Sequence, residues 1–308
     1  MPQSILIALG GNALIKPGQK GSASQQISNI EAVASQIARL KNRGFRIVIT
    51  HGNGPQVGNL LLQQEKARDY APQMPLHVCV AQSQGMIGYF IQEALDNKLR
   101  SAGLKTPVVT IITQVLVDPE DHAFKNPDKQ IGPYYQEGRF PSEWKMARTI
   151  KGFRRIVPSP KPKEIVEAAA IRKLSKDSIV IASGGGGIPV VREHGLKGVD
   201  AVIDKDLSAA RLAEVVKADI LAILTDVENV FLNYGKPNQK RLGKISLDAI
   251  KEFSSQNHFP PGTMNPKIQA SIRFLQKGGK KVIITSFENL EKAVNGEAGT
   301  IITNSAKK

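Results

Sequence analysis

Three short apolar runs end in glycine. Ile5-Leu6-Ile7-Ala8-Leu9 leads into Gly10-Gly11-Asn12, Ile47-Val48-Ile49-Thr50 into His51-Gly52-Asn53-Gly54, and Ile179-Val180-Ile181 into Ala182-Ser183 and the tetrad Gly184-Gly185-Gly186-Gly187. A Val/Ile-rich run that stops at glycine predicts a buried parallel strand whose C-terminal end lets another group approach the backbone. Three such ends predict convergence on one anionic ligand, held by bare N–H groups and by the helix N-termini that follow. The chemistry implied is the handling of phosphate.

Lysines at two further turns point the same way. In Val202-Ile203-Asp204-Lys205-Asp206-Leu207 a lysine sits between two acids at an expected junction of a strand, ending at 202–203, with a helical run, so Asp206 falls in a first turn and is favoured by the helix dipole. A surface ion pair is the ordinary reading of such a cluster. In Gly262-Thr263-Met264-Asn265-Pro266-Lys267 a loop enters a helix with Lys267 in its first turn, where a cation is unfavourable unless an anion lies beside it. Neither common nucleotide signature is present. There is no G-x-x-x-x-G-K-[ST], and Gly52, Gly54 and Gly58 are wrongly spaced for a dinucleotide fingerprint. His51, at a strand end with no visible acid partner, is expected to pack or to bond the backbone.

The elements that must position these residues alternate along the chain. A helical repeat of Ile27, Ile30, Val33, Ile37 and Leu40 follows Ser22 and Ser24 as N-cap candidates and stops at Gly44. A strand is predicted at 46–50, helices at 56–68 and 80–99, an extended segment at 108–117 and a strand at 178–183. The second half repeats the scheme: helix at 207–216, strand at 220–224, helix at 266–276, strand at 281–285. This predicts an α/β protein, a three-layer αβα sandwich around a central, mainly parallel sheet. Residues 118–153 break the rhythm with Pro, Gly, Asp and Tyr, and periodicity returns only at 143–150; an ordered flap is expected there.

Composition narrows the function. The 308 residues can bury a sizeable core, and 41% are hydrophobic. No apolar stretch nears the roughly 20 residues of a membrane span. The N-terminus lacks a basic leader, and the single cysteine, Cys79, excludes internal disulfides, so a cytoplasmic enzyme with no membrane partner is expected. The net charge of +15 includes a run of basic residues between Arg139 and Lys163, but no nucleic-acid-binding motif accompanies it. Nucleic acid is therefore not an expected partner; a field that draws in anionic substrates is.

Together, Ala8-Leu9-Gly10-Gly11-Asn12-Ala13-Leu14, Thr50-His51-Gly52-Asn53-Gly54-Pro55-Gln56-Val57-Gly58, Ala182-Ser183-Gly184-Gly185-Gly186-Gly187-Ile188-Pro189-Val190, Ala201-Val202-Ile203-Asp204-Lys205-Asp206-Leu207 and Leu224-Thr225-Asp226-Val227 resemble the amino acid kinase superfamily, most closely its carbamate kinase branch. The resemblance implies reversible phosphoryl transfer between carbamoyl phosphate and ADP, giving ATP and carbamate. It implies Mg2+ carried mainly by the nucleotide phosphates, no metal held by the protein itself, and a homodimer. It also implies a carbamoyl-phosphate lobe over residues 1–203, including the flap at about 118–153, and a nucleotide lobe over 204–308. Lys129, Lys205 and Lys267 would supply catalytic charge, with Asp206 holding the lysines. Gly10, Gly11, Asn12, Gly52, Asn53, Gly54, Gly184 and Gly185 would bind the carbamoyl substrate, and Asp204, Thr225, Asp226, Phe231, Tyr234 and Met264 the nucleotide. Most relatives outside the carbamate branch carry a lysine two residues before the first glycine pair, where this chain has Ala8. Lys129, on the flap, is expected to replace it. The loop before Lys267 also departs from the family pattern, with Asn265 where a glycine is usual and expected to adopt a left-handed turn. A kinase for another small acid, or a non-catalytic nucleotide sensor, are the alternatives.

Overall fold

The computed structural model describes residues 2–11, 14–16, 18–259 and 262–304. Among these residues, eight strands form one sheet in the order Lys244–Ser246, Thr300–Thr303, Lys281–Ser286, Ile220–Thr225, Ser4–Leu9, Arg46–His51, Ile179–Ile181, Val108–Thr110. The six strands from Lys281–Ser286 onward run parallel, and Thr300–Thr303 reverses against them. Side-chain alternation divides each strand between two cores. Ile5, Ile7 and Leu9 pack with Ile30, Val33 and Ile37 of helix Ala23–Asn42 and with Ile87, Ile91 and Leu95 of helix Leu76–Ser101. Leu6 and Ala8 face the other way, onto Ala209 and Leu212 of helix Lys205–Val216 and Ile268 and Phe274 of helix Met264–Gln276. The result is the expected αβα sandwich.

Local chemistry sets the element ends. Ser22 caps helix Ala23–Asn42 in a reciprocal box with Gln25. Asp204 caps helix Lys205–Val216, accepting from the N–H groups of Asp206 and Leu207. By contrast, helices Gly54–Ala67 and Met264–Gln276 have no side-chain cap.

Three sequence expectations change. The segment 108–117 is not one extended piece. It divides into Val108–Thr110 in the main sheet and Gln114–Leu116 in a smaller four-stranded sheet, because between them Thr113 turns its N–H and carbonyl to other partners. Residues 202–203 are not a strand; they run as irregular chain into the Asp204 cap. Asn265 lies inside helix Met264–Gln276, and the positive φ of that loop is taken by Gly262 at +78°.

The flap is built from strands. Lys129–Tyr135, Gly152–Val157 and Met146–Thr149 form an antiparallel sheet in that order, and Met146–Thr149 takes up the segment where periodicity returns. Its root, Ile131 and Val157, packs into a third core with Val57, Leu61, Leu76 and Val80. Gly58 and Gly132 meet backbone to backbone, so a Cβ at Gly58 would collide with the Gly132 Cα.

Candidate active site

The glycine ends of the first two strands, the starts of three helices and the flap root enclose a cleft of about 260 Å³. Lys129 enters it at the start of its flap strand, and its Nζ lies 2.9 Å from Asp204 Oδ2. Lys205 and Lys267 share one carboxylate from opposite sides: Lys267 Nζ is 2.9 Å from Asp206 Oδ2 and Lys205 Nζ is 3.1 Å from Asp206 Oδ1. Lys267 Nζ also reaches the Thr263 carbonyl at 3.3 Å. The Lys205–Asp206 contact is within ion-pair range but out of line for a hydrogen bond, so among the described residues both atoms are buried without one. A buried ammonium lacking an acceptor is costly, and an anionic oxygen in the cleft would remedy it.

Burial, opposing the charge, lowers the Lys205 pKa in spite of Asp206 beside it. Burial also works against the Lys267 ammonium, but Asp206, Asp204 and Asp226 outweigh it and hold that pKa above its ordinary value. For Asp206 burial favours the neutral acid, yet Lys205 and Lys267 together draw its pKa down to about 2. Asp206 and Lys267 are charged at neutral pH.

The backbone donors differ from the simplest expectation. Gly10 and Gly52 line the cleft, but their N–H groups are occupied by the sheet, donating to Leu224 O at 3.1 Å and Leu9 O at 2.9 Å. The N–H groups of Gly11, Asn53 and Gly54 make no hydrogen bond among the described residues, so these are the donors left for a ligand. Asn53 and Gly54 stand at the uncapped start of helix Gly54–Ala67, an N-terminus ready for an anion. Asn12 lies outside the described residues.

The glycine tetrad divides its work. Gly185 lines the cleft, whereas Gly184 lies beneath it against the His51 ring, where a Cβ would overlap the imidazole. His51 is buried, with Nδ1 3.0 Å from the Gly52 carbonyl, and burial pushes its pKa down to about 4, so it is neutral packing. Gly185, Gly186 and Gly187 have positive φ, which glycine allows at little cost, and Ser183 before them is held in the left-handed region at φ 55°. Residues the sequence did not single out fix this turn. Gln84 Nε2 donates to the carbonyls of Thr113 and Gly184, and its Oε1 accepts from Thr113 N–H at 2.7 Å. Thr50 Oγ1 donates to Ser183 O, and Ser83 Oγ accepts from Asn53 Nδ2 at 2.8 Å, holding that loop from below.

A second cavity of about 380 Å³ adjoins the cleft, sharing Thr225, Asp226, Gly262 and Lys267 with it. Phe231, Tyr234 and Met264 complete its walls, and the two rings lie 5.9 Å apart at 49°. Asp204, grouped above with the nucleotide residues, does not line this cavity; its carboxylate caps a helix and pairs with Lys129 in the cleft. The arrangement offers a deep, cationic slot joined to an aromatic-edged pocket. That suits a small phosphorylated molecule meeting the phosphate end of a nucleotide.

Comparison with known proteins accords with that geometry. The pattern of the amino acid kinase family matches residues 3–286. A carbamate kinase of Pyrococcus horikoshii is 48% identical over 98% of this chain and 100% of its own length. Carbamate kinase 1 of Enterococcus faecium is 46% identical over 98% of this chain and 100% of its own. The solved structure of a Giardia lamblia carbamate kinase bound to AMP-PNP has a TM-score of 0.92 at 43% identity, covering 98% of both chains.

Proposed function

The chain belongs to the amino acid kinase family and, within it, to the carbamate kinases, and from that premise we propose that it transfers a phosphoryl group between carbamoyl phosphate and ADP, yielding ATP and carbamate. The observation that carries this reading is the trio Lys129, Lys205 and Lys267, gathered on Asp204 and Asp206 at the border of two adjoining cavities.

In the direction of ATP formation, a β-phosphate oxygen of ADP attacks phosphorus as the P–O bond to carbamate breaks. Little covalent work falls to the protein; positioning and charge neutralisation dominate. Carbamate leaves as an anion, so no general acid is needed. Gly11, Asn53 and Gly54 N–H groups, with Gly10, Gly52 and Gly185 shaping the wall, hold the carbamoyl phosphate oxygens. Lys205 and Lys267 balance charge on the transferring group and the β-phosphate, and Asp206 keeps both in place. Lys129 exchanges Asp204 for a substrate oxygen when substrate arrives; it already stands in the cleft, so no large flap swing is required. Thr225, Asp226, Phe231, Tyr234 and Met264 receive the adenosine. In this division the first 203 residues, with the flap, serve carbamoyl phosphate and the remainder serves nucleotide.

Mg2+ fits as a passenger on the nucleotide. Asp204 and Asp206 are committed to lysines, so the ion would be held chiefly by the phosphates and would supply neutralisation of their charge. A homodimer, which light scattering would test, completes the proposal.

Purified protein given Mg2+, ADP and carbamoyl phosphate should form ATP, read by a coupled luminescence assay. Folded protein that makes none, or that prefers a carboxylate substrate such as acetate with ATP, would overturn the reading.

A further inference from the structure

At the opposite end of the sheet lies a cavity of about 660 Å³ that shares no lining residue with the cleft or the nucleotide pocket. It sits where strands Ser4–Leu9, Arg46–His51, Ile220–Thr225 and Lys281–Ser286 begin. Its wall carries Arg46, Arg172, Lys176, Lys217 and Lys280 against one carboxylate, Asp219. That carboxylate is fully engaged: Lys280 Nζ is 2.7 Å from Oδ1, and Oδ2 accepts from both the N–H and the hydroxyl of Ser4 at 2.8 Å. Among the described residues, the other four cations have no carboxylate within ion-pair distance.

Two observations separate this cavity from an ordinary solvated basic face. Among the described residues, Arg46 Nε is buried without a hydrogen-bond partner, although desolvating part of a guanidinium without compensation is unfavourable. Lys217 holds a left-handed C-cap conformation, φ 51° and ψ 53°, where glycine or asparagine is the usual choice. We propose that this cavity is a second anion site, taking a chain of linked phosphates: inorganic triphosphate or the phosphate tail of a nucleotide. Four cations without acid partners exceed what a monoanion neutralises, and the volume exceeds what a single small ion fills.

Calorimetric titration with inorganic triphosphate tests this at about 0.15 M salt, where the screening length is about 8 Å and diffuse attraction is weak. Wild-type protein should show two classes of site. Arg46→Gln with Lys217→Asn, the asparagine chosen to tolerate the left-handed backbone, should weaken one class by about tenfold or more while leaving ATP formation unchanged. Lys205→Ala with Lys267→Ala should abolish the other class and keep the first. Should the first pair fold poorly, Arg172→Gln with Lys176→Gln must give the same loss with Arg46 in place. Competition by ADP in the Lys205/Lys267 variant would assign the site to nucleotides, and its absence to inorganic chains. A single class, lost with Lys205 and Lys267 and untouched by the distal substitutions, would overturn the proposal without bearing on the kinase reading.

Discussion

Asp206 is 4% exposed and stands between two ammonium groups, which makes it the residue on which the charge balance of the cleft depends. Removing it leaves two buried cations facing one another; removing one lysine leaves a neutral pair. Asp206→Asn should therefore destabilise the protein by about 2–3 kcal/mol, the scale set by moving an acid from its ordinary pKa to about 2. Lys205→Ala or Lys267→Ala should cost less stability yet lower kcat by about 10²–10³. Urea unfolding and steady-state kinetics on the three variants check the contrast; equal destabilisation by all three would show that Asp206 is not the pivot. Lys267 was legible in the sequence because a cation in a helix's first turn is unfavourable without an anion beside it, whereas the Lys205–Asp206 cluster, ordinarily a surface ion pair, took on its role only through the family resemblance. Gln84, Ser83 and Thr113 were not legible. They act through hydrogen bonds to residues such as Gly184 and Asn53 that only the folded sheet brings near. Nor could the sequence tell that Gly10 and Gly52 donate to the sheet while Gly11 and Gly54 do not, since that depends on strand register.

Among the elements, the flap has the clearest division between an anchored root and an outer sheet. Ile131 and Val157 hold the root in a buried core, and Tyr135, Phe140, Trp144 and Phe153 form an aromatic cluster further out. Lys129→Ala should therefore impair kcat/KM for carbamoyl phosphate far more than apparent affinity for ADP, with each substrate varied in turn. Equal loss for both would return Lys129 to a structural role. Gly58→Ala should reproduce much of that defect from outside the cleft, because its Cβ must push the strand carrying Lys129 away at Gly132. Activity unchanged in Gly58→Ala would mean that the helix, rather than the flap, gives way. The long helices and central strands were readable to within a few residues from apolar periodicity. The flap strands were not, because their pairing with Gly152–Val157 rests on cross-strand contacts that local pattern does not encode.

The whole molecule carries a pH dependence from His51. Its imidazole titrates at about 4 in the fold and near 6.5 when unfolded, so between these values the unfolded chain binds a proton that the folded protein does not. Stability present above pH 6.5 should fall by about 3 kcal/mol as pH drops to 4. Asp206 adds a further loss as pH falls from 3.8 toward 2. Denaturant midpoints measured from pH 7.5 to 4 test the first step, which should shrink in a His51→Gln variant that still folds. The order of the sheet also bears on how the chain is made. Strand Ser4–Leu9 lies in its middle, with Ile5 paired to Ile47 on one side and Ile220 on the other. On a ribosome adding about 5–20 residues per second, the second partner follows the first by roughly ten to thirty seconds. Throughout that interval a strand that is apolar from Ile5 to Leu9 presents an unpaired edge, the kind of surface that joins to another chain. A nascent chain of this topology therefore needs its first half shielded until residue 225 has emerged, and its yield on synthesis should depend on holdase chaperones more than its final stability would suggest.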